Sequence, residues 1–91
     1  MFTYIMTNYA NTVLYTGVTN NLERRVYEHK HDKANAFCRR YKIYRLIWFK
    51  EFSLPIEAIR AEKTIKGWKR DKKIAMIEKE NPNFKEIRID D

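Results

Sequence analysis

FTYIMTNYANTVLYTGVTNNLERRVYEH, residues 2–29, is the stretch whose reading decides how this chain folds. Phe2-Thr3-Tyr4-Ile5-Met6-Thr7 and Val13-Leu14-Tyr15-Thr16-Gly17-Val18 are both rich in aromatic and β-branched residues, which pack well on a pleated surface. Asn8 to Thr12 between them reads as a hairpin loop, with Asn8 and Asn11 as turn residues. Beyond the second strand the apolar period lengthens. Thr19 or Asn20 is expected to cap a helix running to about His31.

Working outward, a second helical stretch covers roughly Ala34 to Tyr41, and Arg45 to Phe52 reads as a third strand. Ser53 is placed to cap the next helix and Pro55 suits its first turn. That helix is expected to run to about Arg70. Asp71 then starts a shorter one that stops before Asn81-Pro82. The tail, Asn83 to Asp91, returns apolar surface through Phe84 and Ile87. The order β-β-α-α-β-α-α predicts an α/β chain of the α+β kind: one domain over residues 1–91, with a three-stranded, mainly antiparallel sheet flanked by helices.

Composition narrows the function classes. Cys38 is the only cysteine, so no intrachain disulfide forms, which suits a reducing cytoplasm. Met1 to Met6 lacks a basic leader and a long apolar run, and no stretch reaches the roughly 18 apolar residues of a membrane helix. One cysteine with His29 and His31 cannot build a zinc site. Gly17 and Gly67 lie too far apart for a phosphate-cradling loop. Ser53 is the only serine and has no evident triad partners. The net charge of +7 favours a polyanionic partner, because cations that neutralise phosphates release condensed counterions.

Four constellations could carry chemistry. Alternation puts Phe2, Tyr4 and Met6 on one face of the first strand, and Val13, Tyr15 and Gly17 on one face of the second. If the hairpin pairs these sets, Tyr4 and Tyr15 rise together and Gly17 leaves room for a ligand backbone. On pattern alone, two half-buried strand tyrosines are the simpler account. In the following helix Leu22, Val26 and His29 share a stripe; Arg25 lies roughly 60° from Leu22 on its edge, while Arg24 points away. Arg25 and His29, at i,i+4, are neighbours. A planar guanidinium and an imidazole beside two phenols can hold a phosphate, though a surface cation and a core histidine fit the pattern too. Glu62 borders the Ala58, Ala61, Ile65 and Trp68 stripe and could hold Mg²⁺, or could simply pair with Lys66. Lys66, Lys69, Arg70, Lys72 and Lys73, beside Trp68, could track a phosphate backbone or form a solvated face.

In order and spacing these pieces resemble the GIY-YIG nuclease superfamily, and its small single-domain, excision-repair-subunit-like bacterial proteins in particular. Tyr4-Ile5 stands at the first motif and Tyr15-Thr16-Gly17 at the second. Thr19 to His29 matches the arginine-bearing segment, Ala61 to Trp68 the segment with the metal-binding glutamate, and Asn81-Pro82 a C-terminal Asn-Pro. The chain departs from the pattern at Phe2-Thr3, at Thr16 in place of isoleucine, and at Val18, where some members carry lysine. The resemblance implies a metal-dependent endonuclease, of the DNA-repair kind, with Tyr4, Tyr15, Arg25, His29 and Glu62 as catalytic residues. It implies one Mg²⁺ or Mn²⁺ on Glu62 and nucleic acid, DNA first, as partner. A non-catalytic nucleic-acid-binding module on the same scaffold, and a nuclease that needs a protein partner, stay open.

Overall fold

The computed structural model describes residues 1–89, so residues 90 and 91 of the expected tail lie outside it. The elements follow the expected order: β1 (Phe2–Thr7), β2 (Leu14–Thr19), α1 (Leu22–Lys30), α2 (Ala36–Tyr41), β3 (Arg45–Glu51), α3 (Pro55–Lys66) and α4 (Arg70–Glu80). β1 is the middle strand of an antiparallel sheet ordered β2-β1-β3. Both its faces are covered, and Thr3 to Thr7 are buried throughout. The threonine hydroxyls therefore need internal partners. Thr3 donates to the Ala58 carbonyl at 2.8 Å and Thr7 to the Val13 carbonyl at 2.7 Å.

Each face has its own core. Tyr4, Met6 and Leu46 pack with Leu22 of α1, Cys38 of α2 and Ile43, with Tyr15 and Val26 beside them. On the opposite face Ile5, Ile47 and Trp48 pack with Ile65 of α3 and Ile77 of α4. Each large aliphatic side chain so buried contributes about 1.5–3 kcal/mol. Ile47 and Trp48 are consecutive yet share a face, because the β1–β3 register shifts between Ile5 and Met6. Such a bulge sets two residues against one and breaks the alternation. The tail covers the outer edge of β3: the Ile87 amide donates to the Leu46 carbonyl at 2.7 Å, and Asn81 Nδ2 to the Ile47 carbonyl at 3.0 Å. A covered edge cannot recruit another strand.

Several element ends differ from the sequence expectation. Thr19 stays in β2, paired with Phe2, so Asn21 caps α1 by accepting from the Arg24 amide at 3.0 Å. Asn35 caps α2, which begins at Ala36 rather than Ala34. Leu54, not Ser53, precedes α3, because proline at the first helical position holds the residue before it extended. Glu57 compensates by accepting from the Leu54 amide at 3.3 Å. α3 stops at Lys66 rather than near Arg70, and α4 starts at Arg70. In the hairpin loop Asn11 takes a left-handed φ of 57°, and Asn8 Oδ1 accepts from the Thr12 and Val13 amides. Among the described residues no helix is long and apolar enough to cross a membrane.

Candidate active site

The β1–β2 register sets Tyr4 opposite Gly17 and Met6 opposite Tyr15, so both phenols stand on one face of the sheet. Their ring centroids are 6.5 Å apart. Gly17 does not make room for a ligand, as the strand pattern suggested. A Cβ there would lie 2.5 Å from Tyr4 Oη and 2.6 Å from Cζ, so the missing side chain is filled by the Tyr4 ring itself. Tyr4 is fully buried, and its hydroxyl has no hydrogen-bond partner among the described residues. Burial, reinforced by Tyr15, pushes its pKa above the usual phenol value, against an opposing pull from Arg25.

α1 delivers the next two groups. Its Leu22–Val26–His29 stripe turns inward, which leaves His29 only 2% exposed and Arg25 half-buried at the margin. His29 Nδ1 lies 3.0 Å from the Ile43 carbonyl. A carbonyl only accepts, so Nδ1 carries the proton and Nε2 is the free acceptor of the neutral ring. Burial lowers the His29 pKa; the Ile43 bond opposes this, the Arg25 charge adds to it, and Glu28 opposes. The imidazole stands edge-on to Tyr4 at 6.1 Å and lies 5.8 Å from Tyr15.

Arg25 is the electrostatic centre of the group. Its charge acts on Tyr4, His29 and Cys38 alike. Its Nε is 3.1 Å from Glu28 Oε1, close enough for an ion pair, yet this buried N–H makes no hydrogen bond of ordinary geometry. Arg24 faces solvent and donates to Asn20 Oδ1 at 3.3 Å. Cys38 is buried, and burial pushes its thiol up to about 11, which makes it a packing residue with little thiolate.

One participant escaped the sequence reading. Asn35 caps α2 through Oδ1, which accepts from the Cys38 amide at 2.9 Å, and its Nδ2 donates to Tyr15 Oη at 3.1 Å. The phenol of Tyr15 thus accepts from Asn35 and keeps its own proton free to donate. The cap was legible as an asparagine ahead of a helix; the contact with Tyr15 joins separate elements and leaves no local signal.

Glu62 stands apart. α3 packs on the other face of the sheet, and the Glu62 carboxylate, 15% exposed, pairs with Lys66 Nζ at 2.8 Å. Among the described residues no hydrogen bond or ion pair joins it to Tyr4, Tyr15, Arg25 or His29, and no cluster of three His, Cys, Asp or Glu side chains could hold a metal. A lone carboxylate suits Mg²⁺ only where substrate phosphate and water complete the shell. The basic residues are likewise divided. Lys69 is exposed, Lys73 is half-buried and Lys72 Nζ lies 4.4 Å over the Trp68 ring. Arg70 donates to the carbonyls of Thr12, at 3.0 Å, and Asn11, which ties α4 to the hairpin loop.

The GIY-YIG catalytic domain matches residues 1–75. A UPF0213 protein of Staphylococcus haemolyticus is 37% identical over 65 residues, 71% of this chain and 79% of that protein. One from Oceanobacillus iheyensis is also 37% identical over 65 residues, 71% of this chain and 76% of its own length. The solution structure of a UPF0213 protein from Bacillus halodurans superposes with a TM-score of 0.59 at 26% identity, covering 91% of this chain and 87% of that one.

Proposed function

This chain belongs to the GIY-YIG catalytic-domain family, and from that premise we propose that it is a divalent-metal-dependent endonuclease hydrolysing phosphodiester bonds, with DNA as the first substrate to test. The observation that carries the reading is the convergence of Tyr4, Tyr15, Arg25 and His29 on one sheet face. Among the described residues the Tyr4 hydroxyl is buried with no hydrogen bond of ordinary geometry, while Arg25 Nε has only the Glu28 ion pair. A buried polar group without a partner costs about 1–3 kcal/mol. The Tyr4 hydroxyl is therefore a group that a ligand can satisfy.

In this mechanism a water attacks phosphorus while the bond to the leaving oxygen breaks. The unprotonated Nε2 of His29 takes the water's proton, directly or through Tyr15, whose hydroxyl oxygen is held by Asn35. His29 suits the role because its lowered pKa keeps it neutral at neutral pH. Tyr4, with its pKa raised, stays protonated and donates to a phosphate oxygen. Arg25 stabilises the charge that builds on the phosphorane. Glu62 would hold Mg²⁺ or Mn²⁺, which when bound stabilises the leaving oxygen. Lys66, Lys69, Lys72 and Lys73 would steer the nucleic-acid backbone, whereas Arg70 is engaged by the hairpin loop.

The Glu62–Lys66 ion pair favours a second reading, a nucleic-acid-binding module without chemistry. Plasmid nicking in Mn²⁺ separates the two. The nuclease converts supercoiled DNA to nicked circles and Glu62→Gln does not. Retardation of DNA without conversion, or equal conversion by Glu62→Gln, would overturn the assignment.

A further inference from the structure

α2 is a short helix with an unusual outer surface. Phe37 is 47% exposed and Tyr41 is 40% exposed, although a chain this small has every reason to bury aromatic area. The two stand at i,i+4 and their ring centroids are 4.8 Å apart. Phe37 in turn lies 6.2 Å from Tyr15, with ring planes inclined by only 31°. A ladder of rings thus runs from the buried Tyr4 through Tyr15 and Phe37 to Tyr41 in open solvent.

The ladder is bordered by positive charge. Arg40 lies 5.5 Å from the Tyr41 ring, and Arg39 and Lys42 are exposed beside it. From Lys33 to Lys50 the chain carries no Asp or Glu. Exposed aromatic faces among uncompensated cations are what single-stranded nucleic acid requires: rings stack on bases while cations hold the backbone. The run of cations without a carboxylate beside these rings is what sets the surface apart from an apolar protein-docking face.

Resting on the nuclease reading, we propose that Phe37 and Tyr41 form a nucleobase-stacking subsite that continues the active site outward. The substrate presents an unpaired base beside the scissile phosphate, as in a single strand, a flap or a bubble. A base inside a duplex is covered on both faces by its neighbours and cannot use the platform. Phe37 supplies the stack, and Arg39 and Arg40 hold the adjacent phosphates.

The test measures binding with chemistry switched off. A single-stranded oligonucleotide carrying one 2-aminopurine is titrated in EDTA against the wild type, Phe37→Ala, Tyr41→Ala and Phe37→Trp. The same sequence as a duplex is titrated in parallel. Stacking quenches the 2-aminopurine fluorescence. The single strand should bind more tightly than the duplex, and Phe37→Ala should lose about 5- to 150-fold of that affinity together with the quench. Tyr41→Ala should lose less, and Phe37→Trp should keep both signals. Tyr9→Ala, an exposed ring on the hairpin loop, should change neither. Equal losses on single strand and duplex, an unchanged quench in Phe37→Ala, or no binding at low salt would overturn the proposal. So would self-association of the wild type that Phe37→Ala abolishes while base quenching is absent. If plasmid nicking succeeds and the quench fails, only the subsite is wrong. If the quench succeeds and nicking fails, only the nuclease reading is wrong.

Discussion

Tyr4→Phe is expected to make the protein more stable and less active. The ring fills the hollow left by Gly17, so phenylalanine keeps its packing and loses only the hydroxyl. Among the described residues that buried hydroxyl makes no hydrogen bond of ordinary geometry, although the Arg25 guanidinium lies near enough to lower its pKa both by charge and by side-chain contact. Burying an unpartnered polar group costs about 1–3 kcal/mol, so its removal should return about 1 kcal/mol after relaxation. For a domain of this size that raises Tm by roughly 4–8 °C. Thr16 supplies the control. Its hydroxyl is also buried and unpartnered, but it pairs with Ile5 and faces away from the site. Thr16→Val should therefore gain similar stability and keep full nicking activity, whereas Tyr4→Phe should lose on the order of 10-fold or more in rate. Urea unfolding followed by fluorescence, with single-turnover nicking alongside, reads both quantities. If Tyr4→Phe is destabilised by about 1.5 kcal/mol or more, the cost of losing a bond to a charged group, then Tyr4 is bonded to Arg25 in solution and is not poised for substrate.

Other expectations follow from the same geometry. Arg25→Ala should slow single-turnover nicking by on the order of 10²-fold, as loss of one charge stabiliser does, while Arg24→Ala should weaken binding slightly; equal losses would mean the wrong arginine has been assigned. Asn35→Asp keeps the α2 cap but cannot donate to Tyr15, so it should retain its unfolding midpoint and shift the pH–rate profile; Asn35→Ala should lose about 1 kcal/mol of cap stability as well. If Asn35→Asp leaves the profile unmoved, the Tyr15 contact does not matter to the reaction. The His29 pKa is depressed in the fold, so between its folded value and 6.5 the unfolded chain binds more protons. Stability from this group is complete above pH 6.5 and is lost as pH falls towards the folded value. Urea midpoints from pH 8 to pH 5 should decline below 6.5, and less so in His29→Gln; a rise on acidification would contradict a buried neutral imidazole.

Much of this site can be read along the chain because the relevant periods are local. Strand alternation placed Tyr4 and Tyr15 on one face once the strands were paired, and helix periodicity separated Arg25 and His29 from Arg24. The element order, the hairpin turn at Asn8 and Asn11, and the inward stripe of α1 rest on short-range preferences that tertiary contacts reinforce. Tertiary structure decided the rest, because the deciding contacts join residues distant in sequence. Gly17 is small for the sake of Tyr4, which only the strand register reveals. The bulge that sends Ile47 and Trp48 to one face follows from packing against α3 and α4, which alternation cannot anticipate. Asn35 reaches Tyr15, and Arg70 leaves the basic face to hold the hairpin loop, because of where α2 and α4 dock. Glu62 shows the division most clearly. Helical spacing puts it at the border of a buried stripe, but only tertiary packing decides that this stripe, through Ile65, covers the Ile5 face of the sheet. A helical period fixes which way a side chain points from its own axis; it carries no information about which face of the sheet that axis will cover.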